Sequence, residues 1–328
     1  MEHEPLLQGN YYHIFNRGNN RCNLFSKPEE YEHFLHLYDK YILPIADTFA
    51  WALMGNHFHF LVRIKANVVY KYSLRELETM KLSAYAVELR KWETMDLGSD
   101  RAVQLAATNA LANHKIPVPH KHFAHLFNAY SRHLQKRTGR TGNLFERPFK
   151  RKMVDSDEYL KTVVLYIHNN PVHHGFCSHP KEYPWTSYLS SISEKPTKLK
   201  RDELIQLFNG TEDFKQQHKQ KIDIAEIENW LEIAPSEWHD FDLSSNFDAD
   251  ENFNAVKSID VDRLEERSEV AAVHFDLSAC AAPDNVKMMD DNVKMMDDNV
   301  KMVDEERSAV DVDADRSKDA VRSGKNNN

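Results

Sequence analysis

Apolar positions in the first 64 residues change period twice. The run Tyr-Tyr-His-Ile-Phe-Asn-Arg at 11–17 is dense in aromatic side chains and ends at Gly18-Asn19-Asn20, which reads as a strand closed by a turn. Ser26-Lys27-Pro28-Glu29-Glu30 then opens a helix, with proline and acids in its first turn. Phe34, Leu35, Leu37, Tyr38 and Tyr41 carry that helix to Pro44. Residues 45–54 read as a second strand. Gly55-Asn56 turns the chain into a third, which holds Phe58, Phe60, Leu61, Val62 and Ile64. Strand, helix, strand, turn, strand predicts an α+β domain with an antiparallel sheet.

Further along, residues 74–92 read as an exposed helix, and 96–119 shows no clear period and reads as an insertion or loop. Residues 120–137 place Phe123, Leu126, Phe127, Tyr130 and Leu134 at helical spacing, ended by Gly139 and Gly142. A strand is expected over 148–154. A helix is expected from 156 to about 169, with the stripe Leu160, Val163, Val164 and Ile167, stopped by Pro171. Tyr183-Pro184-Trp185 reads as an aromatic lid that closes the compact part. Residues 201–240, with Leu204, Ile205, Leu207, Phe208, Phe214, Ile224, Ile227, Trp230 and Leu231, suit a small helical appendage. Past Asp242 acids accumulate, and a heptapeptide repeats at 284–290, 291–297 and 298–304. Its Val and Met residues fall at a/d spacing, but three heptads crowded with Asp and Asn make a weak helix, so a disordered tail is expected.

Composition narrows the class. Of 328 residues, 41% are hydrophobic and 11% aromatic, which suits a soluble globular protein. No apolar run is long enough to cross a bilayer, and the first residues lack the apolar core of a signal peptide. Cys22, Cys177 and Cys280 are too scattered for a disulfide framework or zinc ribbon, and a cytoplasmic location is expected. The net charge of -9 hides a change of sign: residues 1–200 hold 27 Lys/Arg against 19 Asp/Glu, and residues 201–328 hold 15 against 32. A basic front with an acidic back is the asymmetry of a nucleic-acid binder carrying an acidic tail. The bias is strongest between Lys115 and Lys152, with ten basic residues and one acid, Glu146. Phe123, Phe127, Tyr130, Phe145 and Phe149 are interleaved there. Cations on phosphates with aromatic stacking platforms grip single strands, whereas the plainer reading is a solvated basic face over core aromatics.

Two features carry candidate chemistry. His57 and His59 are two apart in a strand, so both imidazoles share one face and make half of a metal site; a locally hydrogen-bonded pair is the plain alternative. On the 156–169 helix, Tyr166 and Asn170 are four apart and so are neighbours, a hydroxyl nucleophile beside an amide oxygen able to bind metal. A partly buried tyrosine and an asparagine helix cap would look the same.

Five ordered pieces together resemble a family. They are Phe-Asn-Arg-Gly at 15–18, Met-Gly-Asn-His-Phe-His-Phe-Leu-Val at 54–62, Thr-Gly-Asn-Leu-Phe-Glu-Arg-Pro-Phe at 141–149, Tyr-Ile-His-Asn-Asn-Pro-Val-His-His-Gly at 166–175, and Tyr-Pro-Trp-Thr-Ser-Tyr at 183–188. This pattern is similar to the single-tyrosine HUH transposases of the insertion-sequence-200-like group, in the branch associated with repeated extragenic palindromes, and spans residues 8–190. Gly55 stands where the family usually has proline, and 96–119 looks expanded. The resemblance implies a ferredoxin-like antiparallel sheet with helices on one face, and it implies His57, His59 and Asn170 as ligands of a divalent ion, Mg²⁺ with Mn²⁺ as substitute. It further implies Tyr166 as the nucleophile that becomes joined to DNA.

Arg17, Arg132, Lys136, Arg137, Arg140, Arg147, Lys150, Arg151 and Lys152 are the expected DNA contacts, on single-stranded DNA with a hairpin. The expected division is a transposase domain at 1–195, a helical extension at 196–244 and an acidic repeat-containing tail at 245–328, acting as monomer or homodimer away from membranes. A DNA-hairpin-binding regulator that does not cleave, and a metal nuclease in which water attacks, use the same residues in other ways. Because the acidic repeat lacks a core of its own, deleting 245–328 should leave the thermal unfolding transition of the remainder unchanged. Loss of that transition in calorimetry would refute the division.

Overall fold

The computed structural model describes residues 4–220 and 223–230. The acidic tail expected at 245–328, its repeats, and residues 231–244 of the helical extension lie outside the described residues.

The early elements form where the apolar pattern places them: β1 (Tyr11–Arg17), α1 (Pro28–Tyr41), β2 (Ala46–Met54) and β3 (His57–Ile64). Pro28 occupies the first turn of α1, and the Glu30 carboxylate folds back to accept hydrogen bonds from the backbone N–H groups of Ser26 and Lys27. After β3 come β4 (Val68–Tyr70), α2 (Leu74–Thr79), α3 (Ala84–Arg90), β5 (Thr94–Asp96) and α4 (Asp100–Ala107). Then α5 (Pro119–Thr138), β6 (Lys150–Val154) and α6 (Asp157–His173) follow, with four short helices after them: α7 (Tyr188–Ile192), α8 (Arg201–Leu207), α9 (Thr211–Gln217) and α10 (Ile224–Trp230). Among the described residues no helix is long and apolar enough to cross a membrane.

The fold is α+β. Four antiparallel strands lie in the order β2-β3-β1-β6, so β3 and β1 are central and β6 is an edge. Strands β4 and β5 form a separate pair, packed by Val69, Met95 and Ala102. Helices expected on one face of the main sheet occupy both. On one face, Phe34, Tyr38 and Tyr41 of α1 and Phe123, Leu126 and Tyr130 of α5 share a core with Tyr12, Ile14, Phe58, Phe60 and Val62. On the other, Leu160, Val163, Val164 and Ile167 of α6 pack on Phe15, Ala50, Ala52 and Leu61. The reason is in the strands, since β2 and β3 are buried at nearly every position and need cover on both sides. Leu204, Phe208, Phe214 and Ile227 of α8–α10 join that second core.

Three expectations are corrected. The helix expected over 74–92 is two, because Met80 is extended and the Ser83 hydroxyl caps a new helix by accepting from the Ala86 N–H. Residues Tyr72–Lys91 fall outside the main compact unit, and among them the Arg90 guanidinium lies over the Tyr72 ring at 5.7 Å. The aperiodic 96–119 stretch holds α4 and a 3-10 turn at Ala110–Asn113, both too short to display a period. Pro171 does not stop α6. Proline removes one N–H, and the bonding resumes beyond it when the His174 N–H donates to the Asn170 carbonyl at 3.1 Å.

Buried histidines tie the layers together. His122 of α5 donates through Nδ1 to the Tyr41 carbonyl at 2.6 Å, and its Nε2 takes the Tyr70 hydroxyl at 2.7 Å. His218 donates through Nδ1 to the Phe214 carbonyl at 2.7 Å, so its Nε2 accepts from His168 Nδ1 at 2.9 Å. His168 Nε2 in turn accepts from the Ser187 hydroxyl at 2.8 Å, and Ser187 Oγ accepts the Trp51 N–H at 2.9 Å. That chain fastens α9 and α6 to β2. Burial lowers both His122 and His218 from 6.5 to about 4. Between those values the unfolded chain binds protons that the native state refuses. Their contribution is therefore complete above pH 6.5 and lost as pH falls toward 4, at a slope of up to about 1.4 kcal/mol per pH unit for each histidine. Urea unfolding between pH 7 and 4.5 should show the decline, and His122→Gln should flatten it; an unchanged slope would contradict this account.

Candidate active site

The turn into β3 is fixed by the loop after β1. Leu24 and Phe25 donate their N–H groups to the Gly55 carbonyl at 2.7 and 2.9 Å, and Gly18 N–H reaches the Asn56 carbonyl at 2.8 Å. At Gly18 a Cβ would sit 2.0 Å from the Cys22 carbonyl oxygen, so only glycine fits this approach. Beside it, Arg17 Nε pairs with Glu146 Oε1 at 2.6 Å, and Asn16 Nδ2 donates to the Glu146 carbonyl at 3.0 Å. Two of the sequence motifs thus hold each other.

From that turn, His57 and His59 project to the face covered by α6. Register and helix phase bring the expected residues together. His57 Nε2 lies 2.9 Å from Asn170 Oδ1, and Asn170 Nδ2 lies 3.3 Å from His59 Nε2, so one amide spans both imidazoles. The Tyr166 ring meets the His59 ring edge-on, with centroids 5.4 Å apart. All four side chains are at most 2% exposed.

Burial sets the protonation. His57 and His59 are held well below the ordinary imidazole value, first by burial and then by cationic repulsion among neighbouring histidines, so both are neutral. Neutral imidazole is the form that offers a lone pair. Burial raises the Tyr166 phenol above its usual value, the Glu228 carboxylate adds to the effect, and a hydrogen bond with Asn170 opposes it. The phenol is therefore protonated as it stands. His57 Nδ1 also faces Asn56 Oδ1 at 2.7 Å. A neutral ring has one N–H and satisfies one of its two flanking oxygens, so turning the Asn170 amide over completes the pairing without a charge.

The donor chemistry suits a divalent ion. Adjacent ligand atoms of an octahedral ion with bonds near 2.1 Å stand about 3 Å apart, and Asn170 Oδ1 stands 2.9 Å from His57 Nε2. Among the described residues no three His, Cys, Asp or Glu side chains gather as a metal site. The two imidazoles would thus depend on the amide oxygen for a third donor.

The expected DNA-contact residues divide by position. Lys150 and Lys152 lie opposite Phe15 and His13 in the β1–β6 register, on the sheet face that carries His59. Arg132, Lys136 and Arg147 are exposed. Arg17 and Arg137 are committed to Glu146 and Glu30, Arg140 reaches Cys22 Sγ at 2.6 Å, and Arg151 lies over Phe149 at 4.8 Å. Of the interleaved aromatics, read either as stacking platforms or as core, Phe123, Phe127, Tyr130 and Phe145 are core. The apolar demand of the α1–α5 layer claims them, and Phe149 alone of the five is half-buried.

Two histidines at the site escaped the sequence reading. His13 of β1 places Nε2 3.0 Å from His59 Nδ1, and His174 places its ring 5.1 Å from that of His57. His13 alternates with Phe15 on the same strand face, a signal that gains meaning only once β1 is known to pair with β3.

No family model matches the chain, and no curated protein matches it. A solved structure of a REP-associated tyrosine transposase bound to a REP hairpin is distantly similar, at 10% identity and a TM-score of 0.37, over 60% of this chain and 88% of that one.

Replacing Asn170 by leucine strands two buried imidazole nitrogens. Each unsatisfied group costs about 1–3 kcal/mol, so Asn170→Leu should lose about 2 kcal/mol or more of stability in urea unfolding at pH 7. A change within error would show that the amide bridge does not hold α6 to the sheet.

Proposed function

We propose that this chain is a metal-dependent single-stranded DNA endonuclease and transposase, which cleaves and rejoins strands through a 5′-phosphotyrosine on a ferredoxin-like scaffold. The observation that supports it most is the meeting of His57 and His59 with Asn170, 111 or more positions further along the chain, beside Tyr166. A purely structural buried cluster has no need of a hydroxyl nucleophile one helical turn from the bridging amide.

In the proposed reaction the Tyr166 oxygen attacks a DNA phosphorus in line. A bond from that oxygen to phosphorus forms and the bond from phosphorus to the 3′ oxygen breaks. The leaving 3′ oxygen takes up a proton, and the phenol proton is given up, so one ester replaces another and no energy source is required. The reverse step, with the 3′ hydroxyl of a second strand, rejoins DNA. His57 and His59, with the Asn170 oxygen, would hold Mg²⁺ or Mn²⁺, and the ion would supply Lewis acidity toward a nonbridging phosphate oxygen and toward the tyrosinate. Two imidazole donors favour Mn²⁺ in affinity. Lys150 and Lys152, on the same face, would position the phosphate backbone. Since all four central residues are buried, a strand reaches them only when α6 or its cover moves.

The test uses a hairpin-bearing single-stranded oligonucleotide, labelled in the portion 3′ to the cut, with Mn²⁺ and denaturing electrophoresis. Wild-type protein should carry the label covalently. Tyr166→Phe should keep its fold and DNA affinity and lose the adduct, and His57→Ala or His59→Ala should lose cleavage while most binding survives. Cleavage without an adduct would replace this reading with hydrolysis by water, and binding without cleavage would replace it with a hairpin-binding regulator.

A further inference from the structure

His13 is fully buried on β1, and its ring lies nearly parallel to that of His59 with centroids 5.1 Å apart and Nε2 3.0 Å from His59 Nδ1. Its own Nδ1 is buried without a hydrogen-bond partner. We propose that His13 is a positioning residue that selects which nitrogen of His59 carries the proton, and so lets His59 Nε2 offer a lone pair beside His57 and Asn170. The inference rests on the reading of this site as a divalent-metal centre.

The bonding leaves two consistent arrangements. In one, the Asn170 oxygen faces His59, whose Nε2 then carries the hydrogen while Nδ1 accepts from His13 Nε2–H. His13 Nδ1 is left as a bare lone pair, and an unpaired buried acceptor is less costly than an unpaired N–H. In the other, His59 Nε2 is the lone pair, as metal binding requires, and the proton of His59 sits on Nδ1 and is donated to His13 Nε2. His13 then carries its own proton on Nδ1. Each ring keeps one proton throughout, so no charge is created in the core. Position 13 must therefore donate in the first arrangement and accept in the second, which imidazole does by changing tautomer. Tyr166 meets both rings edge-on, 5.4 Å from that of His59 and 6.1 Å from that of His13, so a change in the tilt of His13 would be felt by both the ligand and the nucleophile.

Removing such an outer partner typically weakens metal binding about 10–100-fold. Mn²⁺ titrations of the full-length protein, read by electron paramagnetic resonance of the free ion and by calorimetry, measure this without recourse to DNA cleavage. His13→Phe keeps an aromatic ring without nitrogens, His13→Leu gives a second apolar variant should the first not fold, and His13→Gln presents either an oxygen or an N–H near the place of Nε2. The expected result is Mn²⁺ binding by wild type, its loss in His57→Ala, a 10–100-fold weaker Kd in whichever apolar variant folds, and affinity close to wild type in His13→Gln. Wild-type affinity in a folded apolar variant overturns the role of His13 and leaves the metal centre standing. His13→Gln as weak as the apolar variants also overturns it, because loss of packing would then suffice. Absence of Mn²⁺ binding in wild type overturns both this inference and the reading of the centre.

Discussion

A strand buried on both faces tolerates two histidines only if their ring nitrogens find partners inside the protein. This constraint falls on β3. Its backbone is satisfied by β1 and β2, and its alternate residues Phe58 and Phe60 fill the core against α1 and α5. His57 and His59 face the other way, where the apolar stripe of α6 supplies no hydrogen bonds. The Asn170 amide, with a donor and an acceptor on one short side chain, answers both rings at once. An unpaired polar group in such a place is costly, so the amide and the strand fix each other's position. Tyr166 follows without further design, because a residue four positions earlier on a helix lies on the same flank.

The rest of the fold holds this pairing in register. Gly18 allows the first loop to clasp the turn before His57, and the Arg17–Glu146 pair draws the segment before β6 to the same end of the sheet. At the other side of α6, the His168, His218 and Ser187 chain ties the helix to β2 and to the end of α9. Proline at 171 costs one helical bond at the turn that carries Asn170. Bonding beyond it through the Asn170 carbonyl keeps that turn helical, so the amide stays aimed at the sheet. The helical extension is accordingly part of what covers the centre rather than an ornament, since Leu204, Phe208, Phe214 and Ile227 share the core of α6.

Much of this was legible from residue types alone. The aromatic strand at 11–17, the Pro-Glu-Glu helix start and the stripe at 160–167 each state a period long enough to read. Segments of six or seven residues do not, and for that reason α2 and α3 merged into one expected helix while α4 was invisible. The meeting of 57 and 59 with 170 could be guessed only through the ordered motifs, because spacing along a chain says nothing about which helix lies over which strand. His13 was hidden by the same limit. One histidine in an aromatic strand reads as core until its strand partner is known. At the aromatics of 123–145 the charge bias and the helical period offered two readings, stacking platforms or core, and the α1–α5 layer takes them for its own interior.

Charge at the level of the whole chain is a poor guide to the field at this centre. The basic front half and acidic back half of the sequence differ widely in balance, yet exposed charges more than about 8 Å apart are largely screened at physiological ionic strength. Lys150 is in register with Phe15, which is in register with His59, so the lysine backbone stands two strand spacings from the histidine, about 10 Å. A lysine side chain covers much of that distance, which leaves the β6 lysines inside the screening length. Arg132 and Lys136 sit on α5, whose core residues lie on the opposite face of the sheet. Under the proposed function those α5 cations would add affinity for a polyanion without polarising a phosphate at Tyr166. Binding and cleavage should therefore draw on different basic residues, and the edge strand, not the helix, carries the charge that matters for the proposed chemistry.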